Sequence, residues 1–453
     1  MINIKGDSRK VQKGDVFVAL RGISSDGHDY IERAISNGAS KIVAEVGEYP
    51  VETEIVQDTR DYLNKYLVEN YNKYLEEMTI IGITGTNGKT TSAYLIYDAL
   101  NKLGKKCAYI GTVGFYMDGK VSNLENTSPD VCELYDLIIQ AYDKGYRYIV
   151  LEASSQGLDR GRLDGIPFDY AIFTNLTQDH LDHHKTMENY ALAKQLLFKK
   201  LKANGLSILN YDDHYKDYFI TDNTVYYGID GGDYRIVDYQ MTNQLTKFKY
   251  RYQDTEFSIL SPLLGSYNIY NMLVCIIVLN KIGVSVHDIE NIVPKLTAPA
   301  GRMDTIMYKN NSIIVDYAHT PDAVEKIISV VKKITNGDVY TVFGCTGDRD
   351  RTKRPIMAKL VTDLCKWAII TNDDPHYEDP NQIVDDMTKK LDNTNYEVCL
   401  DRKEAIIKGI NMLKNEDILL ILGKGHEEAM IIKNEKVPFN DKKVVNEYLE
   451  NLK

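Results

Sequence analysis

The stretch GITGTNGKTTS at residues 82–92 decides the fold of the central part of the chain. The apolar run TIIGI at residues 79–83 predicts a strand that enters it, and residues 90–102 predict a helix that leaves it. Glycines let backbone N–H groups converge on phosphate, the helix N-terminus adds partial positive charge, Lys89 adds a full charge, and the Thr90 hydroxyl can bind Mg²⁺. We therefore predict a nucleotide-phosphate cradle. Its residues are Gly85, Thr86, Asn87, Gly88, Lys89, Thr90 and Thr91.

This cradle departs from the strict pattern G-x-x-x-x-G-K-[ST], because Ile83 stands where the first glycine belongs. The alternative interpretation is a glycine-rich turn between a strand and a helix that binds nothing. The strand before the loop, together with Lys89 and Thr90, favours the nucleotide site.

Strands alternate with helices on both sides of the cradle, which predicts an α/β protein. YRYIVLEA at 146–153 and DYAIFTN at 169–175 predict strands of a mostly parallel sheet, and the Tyr- and Thr-rich stretch 206–261 predicts some antiparallel strands. GDVFVAL and KIVAEV predict a small α/β unit at the start, and apolar runs ending in polar loops predict a Rossmann-like unit at the end. We expect three domains, at residues 1–78, 79–300 and 301–453.

The composition is typical of a globular protein, with 43% apolar and 26% charged residues among 453. No window approaches the ~18 unbroken apolar residues of a membrane span. The net charge of −11 repels polyanions, so we expect no nucleic-acid partner. We also expect no membrane partner, and we expect a monomer. The start of the chain lacks the apolar core of a secretory signal, which predicts a cytoplasmic protein, and the six cysteines form no C-x-x-C pair.

Polar residues follow two of the predicted strands. Glu152 ends the strand at 146–153, where a carboxylate can hold a phosphate-bound Mg²⁺, although a glutamate in this place is often only solvated. The next strand is followed by a group that is either a metal shell or a helix-capping loop, and the pattern alone leaves both open. This group consists of Asp179, His180, Asp182, His183 and His184.

Five motifs in this order resemble the Mur ligases and, within them, the MurE type. They are GTNGKTT at 85–91, TNLTQDHLDHH at 174–184, VDYAHTPDA at 315–323, VFGCTGDRDRTKRP at 342–355 and GKGHE at 423–427. The match begins at DSR, residues 7–9, and spans nearly the whole chain. The resemblance implies a UDP-binding N-terminal domain, a central P-loop ATPase domain and a Rossmann-like C-terminal domain.

The resemblance also implies a ligase of peptidoglycan precursor synthesis. ATP phosphorylates an acid, an amine attacks the acyl phosphate, and phosphate leaves. Because negative charge accumulates, the implied catalytic set is cationic: Lys89, with Mg²⁺ at Thr90, Glu152 and His180. Lys194 matches a lysine that the family carbamylates with CO₂, since a carbamate binds Mg²⁺ whereas an ammonium repels it. Without the resemblance, Lys194 would be interpreted as a solvated helix lysine.

Substrate contacts are implied in the same way. For UDP-MurNAc-L-Ala-D-Glu, the matched residues are Ser8, Arg9, Asn126, Thr127, Ser128, Ser154, Arg160 and Arg162. For ATP beyond the cradle, they are Asn271, Arg302, Asp316 and His319. Arginine suits these anions because its fork binds two oxygens at once. Asn271 could equally satisfy its own helix backbone.

The C-terminal domain is expected to select the incoming amino acid. The matched residues are Arg349, Asp373, Asp374, His376, Gly423 and Glu427. The family loop that binds meso-diaminopimelate reads DNPR, and this chain reads DDPH at 373–376, so the arginine for the distal carboxylate is missing. Two carboxylates, Asp374 and Glu427, would favour a terminal ammonium, which predicts L-lysine or a similar basic amino acid. The alternative is meso-diaminopimelate, since a protonated His376 could bind its carboxylate.

Two other functions remain to be weighed. A related ligase that acts on another acid, as in folylpolyglutamate or cyanophycin synthesis, is opposed by the N-terminal DSR and GDVFVAL module. A catalytically inactive protein that binds nucleotide for regulation is opposed by the presence of all the implied catalytic residues. We further expect domain closure, because the resemblance places ATP and the amino acid on different domains.

Overall fold

The computed structural model describes residues 2–22, 25–242, 245–392, 394–433 and 435–452. They form two units: unit 1 is Met1–Arg235 with Val274–Val284, and unit 2 is Ile236–Leu273 with Ser285–Lys453. Among the described residues, no helix has the length and apolarity needed to cross a membrane.

Unit 1 begins with a small parallel sheet in the order β1-β2-β3-β4. Its elements are β1 (Ile4–Lys5), β2 (Val16–Val18), α1 (Ile31–Ser36), β3 (Lys41–Ala44), β4 (Glu52–Ile55) and α2 (Thr59–Glu76), with 3-10 turns at Ser8–Lys10 and Gly27–Tyr30. The strands predicted from GDVFVAL and KIVAEV are β2 and β3. Helix α2 begins where the Asp58 carboxylate accepts hydrogen bonds from the N–H groups of Arg60 and Asp61, which is an N-cap.

The central sheet of unit 1 follows. Its elements are β5 (Thr79–Thr84), α3 (Lys89–Lys102), β6 (Cys107–Gly111), β7 (Gly114–Met117), β8 (Gly119–Ser122), α4 (Val131–Asp143), β9 (Tyr148–Glu152), α5 (Ser155–Asp159), β10 (Phe168–Phe173), α6 (Leu181–His184), α7 (Met187–Gln195), β11 (Leu201–Asn210) and β12 (Thr224–Gly228), with 3-10 turns at Phe198–Lys200 and Lys216–Phe219. The order is β12-β11-β10-β5-β9-β6-β7-β8, and the strands from β12 to β6 are parallel.

Parallel pairing brings the ends of the central strands to one edge of this sheet. Ile83 of β5 is paired with Glu152, and Thr84 is paired with Phe173. Apolar side chains on these strands are buried, as the nearly continuous hydrophobic runs of a parallel sheet predict. The loops after β5, β9 and β10 therefore share the edge at which open α/β sheets bind ligands.

Two elements contain the boundary between the units: β13 (Tyr234–Met241) and α8 (Ser266–Lys281). The remaining elements, all in unit 2, are β14 (Thr246–Tyr252), β15 (Thr255–Ser261), α9 (Val286–Ile292), β16 (Asp304–Tyr308), β17 (Asn311–Asp316), α10 (Pro321–Ile334), β18 (Val339–Phe343), α11 (Lys353–Leu364), β19 (Trp367–Ile370), α12 (Pro380–Thr388), β20 (Tyr396–Val398), α13 (Arg402–Met412), β21 (Ile418–Leu422), β22 (Ala429–Ile432), β23 (Glu435–Pro438) and α14 (Asp441–Asn451), with a 3-10 turn at Val293–Lys295.

The main sheet of unit 2 has the order β16-β17-β21-β18-β19-β20. All neighbours are parallel except β16, which is antiparallel to β17. Asp316 and Phe343 both pair with Leu422, so the loops after β17, β18 and β21 emerge at one edge. This arrangement confirms the predicted Rossmann-like unit. The predicted domain boundaries after residues 78 and 300 stay predictions.

The prediction of some antiparallel strands in 206–261 is confirmed by the hairpin of β14 and β15. Strands β11 and β12, which cover SILN and VYYG, are parallel to each other. Residues 211–223, with the turn Lys216–Phe219, connect them and supply the crossover of about a dozen residues that parallel pairing requires.

A buried ion pair joins the starts of two helices in unit 2. Arg402, the first residue of α13, donates from Nε and Nη2 to the Asp441 carboxylate of α14, both at 2.8 Å. Nη2 also donates to the Leu422 carbonyl at the end of β21 at 3.0 Å. Both charged side chains are 0% exposed. Removal of either partner would therefore leave the other charge buried without compensation, which destabilises the folded state.

We expect Arg402→Met to lower the free energy of unfolding by about 3–5 kcal/mol, because it leaves the buried Asp441 carboxylate unpaired. Arg402→Met combined with Asp441→Leu should recover most of the loss. Urea unfolding followed by the fluorescence of Trp367, the single tryptophan, reports on unit 2. Lys408→Ala, which breaks an exposed pair with Glu404, is the control and should change stability by about 0.5 kcal/mol or less. Equal losses for Arg402→Met and Lys408→Ala would contradict this prediction.

Candidate active site

Residues 85–88 form the predicted loop between β5 and α3. Gly85 and Gly88 have φ values of +146° and +88°, which only glycine adopts without strain. A Cβ on Gly85 would overlap the hydroxyl of Thr174, which follows β10. That hydroxyl donates to the Asn87 carbonyl at 2.6 Å, and the Asn87 N–H donates to the Asn175 side chain at 2.9 Å. The end of β10 therefore fixes the shape of the cradle.

Two lysine side chains meet at the cradle. The Lys89 ammonium donates to the carbonyls of Gly85 at 2.9 Å and Thr86 at 2.8 Å. Lys194 of α7 donates to the same Gly85 carbonyl at 2.8 Å, and its Nζ lies 4.4 Å from the centre of the Tyr190 ring. Lys194 is 1% exposed, and burial, together with the charge of Lys89, lowers its pKa well below the usual value. It is therefore not the solvated helix lysine of the alternative interpretation.

Glu152, at the end of β9, is buried beside the cradle and accepts several hydrogen bonds. Its Oε2 accepts from the hydroxyls of Thr90 at 2.9 Å and Thr112 at 3.1 Å. Its Oε1 accepts from the Tyr109 hydroxyl at 2.5 Å and the Thr112 N–H at 2.9 Å. These donors hold the carboxylate in one orientation. Tyr109 and Thr112 were not predicted, because nothing in the local pattern marks them.

The predicted substrate loop at 126–128 is hydrogen-bonded to this carboxylate residue. The Ser128 hydroxyl donates to the Glu152 backbone carbonyl at 2.9 Å and lies 3.0 Å from the Ser154 hydroxyl. Thr127 and Thr112 have their hydroxyl oxygens 3.1 Å apart. The structure therefore brings Thr127, Ser128 and Ser154 together with Thr90 and Glu152.

The predicted histidine cluster divides into two parts. His180 has φ +53° before α6, and its side chain is 47% exposed. Its ring lies 6.1 Å from that of Tyr190, the same tyrosine that Lys194 contacts. The side chain of Asp182 lies outside the described residues.

The other two histidines tie α6 to α5. His183 Nε2 lies 2.9 Å from Asp159 Oδ2, and the buried His184 Nε2 lies 3.0 Å from the Ser155 hydroxyl. Burial and the neighbouring His183 lower the pKa of His184. The ligand atoms of Asp159, His183 and His184 also lie within 4.8 Å of one another, so these contacts fit a packing role and a metal shell alike.

A cleft of about 1710 Å³ lies in unit 1 between the N-terminal sheet and the central sheet. Predicted substrate residues line it from both sides: Ser8, Arg9, Asn126, Arg160 and Arg162. Basic residues that were not predicted also line it: Lys5, Lys10, Arg21, Arg33 and Arg60. Acidic residues line the cleft as well, and three of them pair with Lys5, Arg9 and Lys10, so the lining is mixed in charge. No pattern in the sequence pointed to Arg60. This arginine lies on helix α2, and its guanidinium donates to the Arg160 carbonyl at 3.1 Å.

The predicted ATP residues beyond the cradle lie in unit 2. Asp316 accepts hydrogen bonds from the N–H groups of Met303 at 2.7 Å and Ala318 at 2.8 Å. The Arg302 guanidinium lies 4.8 Å from the centre of the Tyr317 ring. Asn271 is buried in α8 and donates to the Asn268 side chain at 2.8 Å, within its own helix.

His319 lies near the same loops. It is exposed, and its Nδ1 lies 2.7 Å from the Tyr317 carbonyl. The ring also packs against Tyr317, with the ring centres 4.7 Å apart. The Tyr317 ring, just after β17, therefore contacts both His319 and Arg302, which precedes β16.

The predicted amino-acid residues surround Lys424, which was not predicted. Its buried ammonium donates to Asp374 at 2.7 Å and Glu427 at 2.8 Å and lies 3.7 Å from Asp373. Burial and the two aspartates nevertheless raise the pKa of Glu427 to about 7. Gly423 has φ +114°, and a Cβ there would overlap Asp373. The two carboxylates that we expected to face a substrate ammonium are thus already paired, which is a correction to the premise of the lysine prediction.

Two further residues flank this cluster. Arg349 is exposed in the loop after β18, whereas its neighbours Arg351 and Arg354 both bind Glu378, at 2.6 Å and 2.8 Å. His376 is half-buried with φ +50°, and its N–H donates to the Ile431 carbonyl at 3.1 Å. The candidate residues thus fall into two groups, one in each unit.

Three family models match the chain in succession. They are described as "Mur ligase family, catalytic domain" at residues 2–80, "Mur ligase middle domain" at 83–279 and "Mur ligase, glutamate ligase domain" at 301–425.

Curated relatives match along nearly the whole length. The UDP-N-acetylmuramoyl-L-alanyl-D-glutamate–2,6-diaminopimelate ligase of Fusobacterium nucleatum is 41% identical, over 97% of this chain and 92% of the relative. The same-named protein of Clostridium perfringens is 39% identical, over 99% of this chain and 95% of the relative. A solved structure with this name has a TM-score of 0.73 at 32% identity, covering 99% of this chain and 95% of that one. These relatives are named for diaminopimelate, so the lysine prediction is not confirmed.

Gly85→Ala is expected to weaken ADP binding by at least about tenfold, equal to about 1.4 kcal/mol, because the new Cβ would displace the loop against Thr174. Gly104→Ala is the matched control at the other end of α3: its φ is also positive, at +74°, but no atom lies within 4 Å of the added Cβ. The control should lose about 1 kcal/mol of stability and keep its ADP affinity. Calorimetric titration with ADP measures the affinity of both variants, and equal affinities of Gly85→Ala and Gly104→Ala would contradict the role of Gly85.

Proposed function

Because the chain belongs to the Mur ligase family and is an ATP-dependent ligase of the MurE, or UDP-MurNAc-tripeptide synthetase, type, we propose that it adds meso-diaminopimelate to UDP-MurNAc-L-Ala-D-Glu. The observation that carries the proposal is the convergence of Lys89, Thr90, Glu152 and Lys194 on one loop. This set can gather anionic oxygens, which is what phosphorylation of a carboxylate requires.

The proposed reaction has two steps. The terminal phosphoryl group of ATP is transferred to the substrate carboxylate, and the amine of the amino acid then displaces phosphate from the acyl phosphate. The N–H groups at the start of α3 and the Lys89 ammonium bind the phosphates and compensate their charge. Arg160 and Arg162 in the cleft bind the anionic substrate, and the Nε of Arg160 is buried without a hydrogen-bond partner among the described residues.

The residues beside the cradle fit Mg²⁺. The Thr90 hydroxyl and the Glu152 carboxylate are oxygen donors 2.9 Å apart, and hard oxygen donors are the ligands that Mg²⁺ prefers. When bound, Mg²⁺ would neutralise phosphate charge. We propose His180 as a ligand of a second Mg²⁺, together with a carbamylated Lys194.

The surroundings of Lys194 support the carbamate. Its side chain is buried, and Lys89 donates to the same carbonyl. A second ammonium so close to Lys89 is unfavourable, whereas a neutral amine can attack CO₂, lose a proton and become an anion. In the carbamate form, Lys194 would add negative charge beside His180 and the cradle.

We expect Lys194→Ala to lower kcat by about 10²–10³-fold, the size of effect seen when one transition-state contact is removed. Acetate or formate should restore part of the activity by supplying carboxylate oxygens in the space left behind. The exposed Lys199→Ala is the control and should retain activity without responding to either anion.

An independent measurement is ¹³C NMR with labelled bicarbonate. The wild type and Lys199→Ala should give a carbamate signal that Lys194→Ala lacks. Full activity of Lys194→Ala would rule out the proposed role.

Two observations favour diaminopimelate over lysine. One ammonium, that of Lys424, lies against Asp374, Glu427 and Asp373, so part of the negative charge that favoured a purely basic side chain is already offset. The relatives named for 2,6-diaminopimelate match the chain nearly end to end. In this proposal Arg349 binds the α-carboxylate and His376 the distal carboxylate. Lysine remains the second candidate because position 376 carries a histidine where the family motif has an arginine.

A substrate panel tests this choice. We expect kcat/KM for meso-diaminopimelate to exceed that for L-lysine and ornithine by at least about tenfold, or about 1.4 kcal/mol. His376→Ala should lower the value for diaminopimelate but leave that for lysine unchanged, because only diaminopimelate has a distal carboxylate. His287→Ala, on exposed helix surface, is the control. A preference for lysine would overturn the choice of amino acid and leave the ligase assignment intact.

A further inference from the structure

We propose that Tyr109 and Thr112 are positioning residues that fix the Glu152 carboxylate for metal binding and determine which of its oxygens faces the metal. This inference rests on the proposed function, in which Glu152 holds the Mg²⁺ of the ATP site. Tyr109 and Thr112 lie in and just after β6, the strand next to β9.

The hydrogen bonds to the two carboxylate oxygens differ. Oε1 accepts from the Tyr109 hydroxyl at 2.5 Å and from the Thr112 N–H at 2.9 Å, which occupies both of its lone pairs. Among the described residues, Oε2 accepts only from hydroxyls, those of Thr90 at 2.9 Å and Thr112 at 3.1 Å. A hydroxyl can rotate and turn its own lone pair to a cation, whereas a backbone N–H cannot. Oε2, on the side of Thr90, is therefore the oxygen left for the metal.

Space for this arrangement comes from Gly111. Residues 109 and 111 lie on the same face of β6 because side chains alternate along a strand. A Cβ at Gly111 would overlap Glu152 Oε1 and crowd the Tyr109 hydroxyl. The absence of a side chain at Gly111 therefore lets tyrosine and carboxylate meet.

The tyrosine ring is itself held in place. It is fully buried, and three other tyrosines surround it: Tyr94, Tyr97 and Tyr116, with ring centres 6.0, 6.2 and 5.7 Å away. Edge-to-face packing of this kind restricts ring movement. The hydroxyl is thus presented to Glu152 by a rigid support, as partners of metal ligands require.

The test compares metal binding in four proteins: the wild type, Tyr109→Phe, Thr112→Val and the control Tyr97→Phe. Tyr97 belongs to the same tyrosine cluster, but its hydroxyl donates to the Met117 carbonyl at 2.6 Å. Titration with Mn²⁺ in the presence of ADP, followed by water-proton relaxation, measures protein-bound metal without ligase turnover. Binding of ADP without metal is measured in parallel.

We expect Tyr109→Phe and Thr112→Val to weaken Mn²⁺ binding by about 10-fold to 100-fold, the usual effect of removing a hydrogen bond to a metal ligand. Tyr97→Phe should stay within about twofold of the wild type, and metal-free ADP binding should be equal in all four. A merely structural role would weaken ADP binding as well.

Mn²⁺ affinity of Tyr109→Phe within about threefold of the wild type would overturn the inference. If Tyr109→Phe does not fold by circular dichroism, Thr112→Val decides by the same criterion. Absence of Mn²⁺ binding by the wild type with ADP would instead refute the metal site of the proposed function, so the two failures are distinguishable.

Discussion

One backbone carbonyl, that of Gly85, accepts hydrogen bonds from both Lys89 and Lys194, and the proposed chemistry depends on this contact. It places two basic side chains at the turn that also presents the N-terminus of α3. Two full ammonium charges on one buried carbonyl repel each other, and the structure places the more deeply buried amine, Lys194, where its charged form is least favoured. In the proposed carbamate form Lys194 is an anion, whereas Lys89 is the lysine proposed to bind phosphate.

The sequence predicted the parts of the site that are local. A strand, a glycine loop and a helix are consecutive in the chain, so their composition indicates the cradle before any tertiary contact is known. Glu152 and the Thr174 loop could also be located, because parallel strands bring their ends to one edge. The resemblance to a family then added Lys194, which composition alone would have assigned to solvent.

The parts that were missed depend on contacts between distant residues. Tyr109 meets Glu152 across 43 positions, and Lys424 meets Asp374 across 50, so neither contact leaves a local pattern. The lysine prediction is not confirmed, since the relatives are named for diaminopimelate; the sequence showed the acidic residues but not their contact with Lys424. His183 and His184 show the converse, since a motif that looks like a metal shell also makes packing contacts with α5.

Charge compensation connects the two candidate sites. Around Glu152, hydroxyl and N–H donors stabilise a carboxylate without cancelling its charge, so it remains able to bind a cation. Around Asp374 and Glu427, one full ammonium, that of Lys424, offsets part of the negative charge. The first group lies in unit 1 and the second in unit 2. The proposed reaction draws on both groups, because phosphoryl transfer depends on the charges of the first and selection of the amine on those of the second.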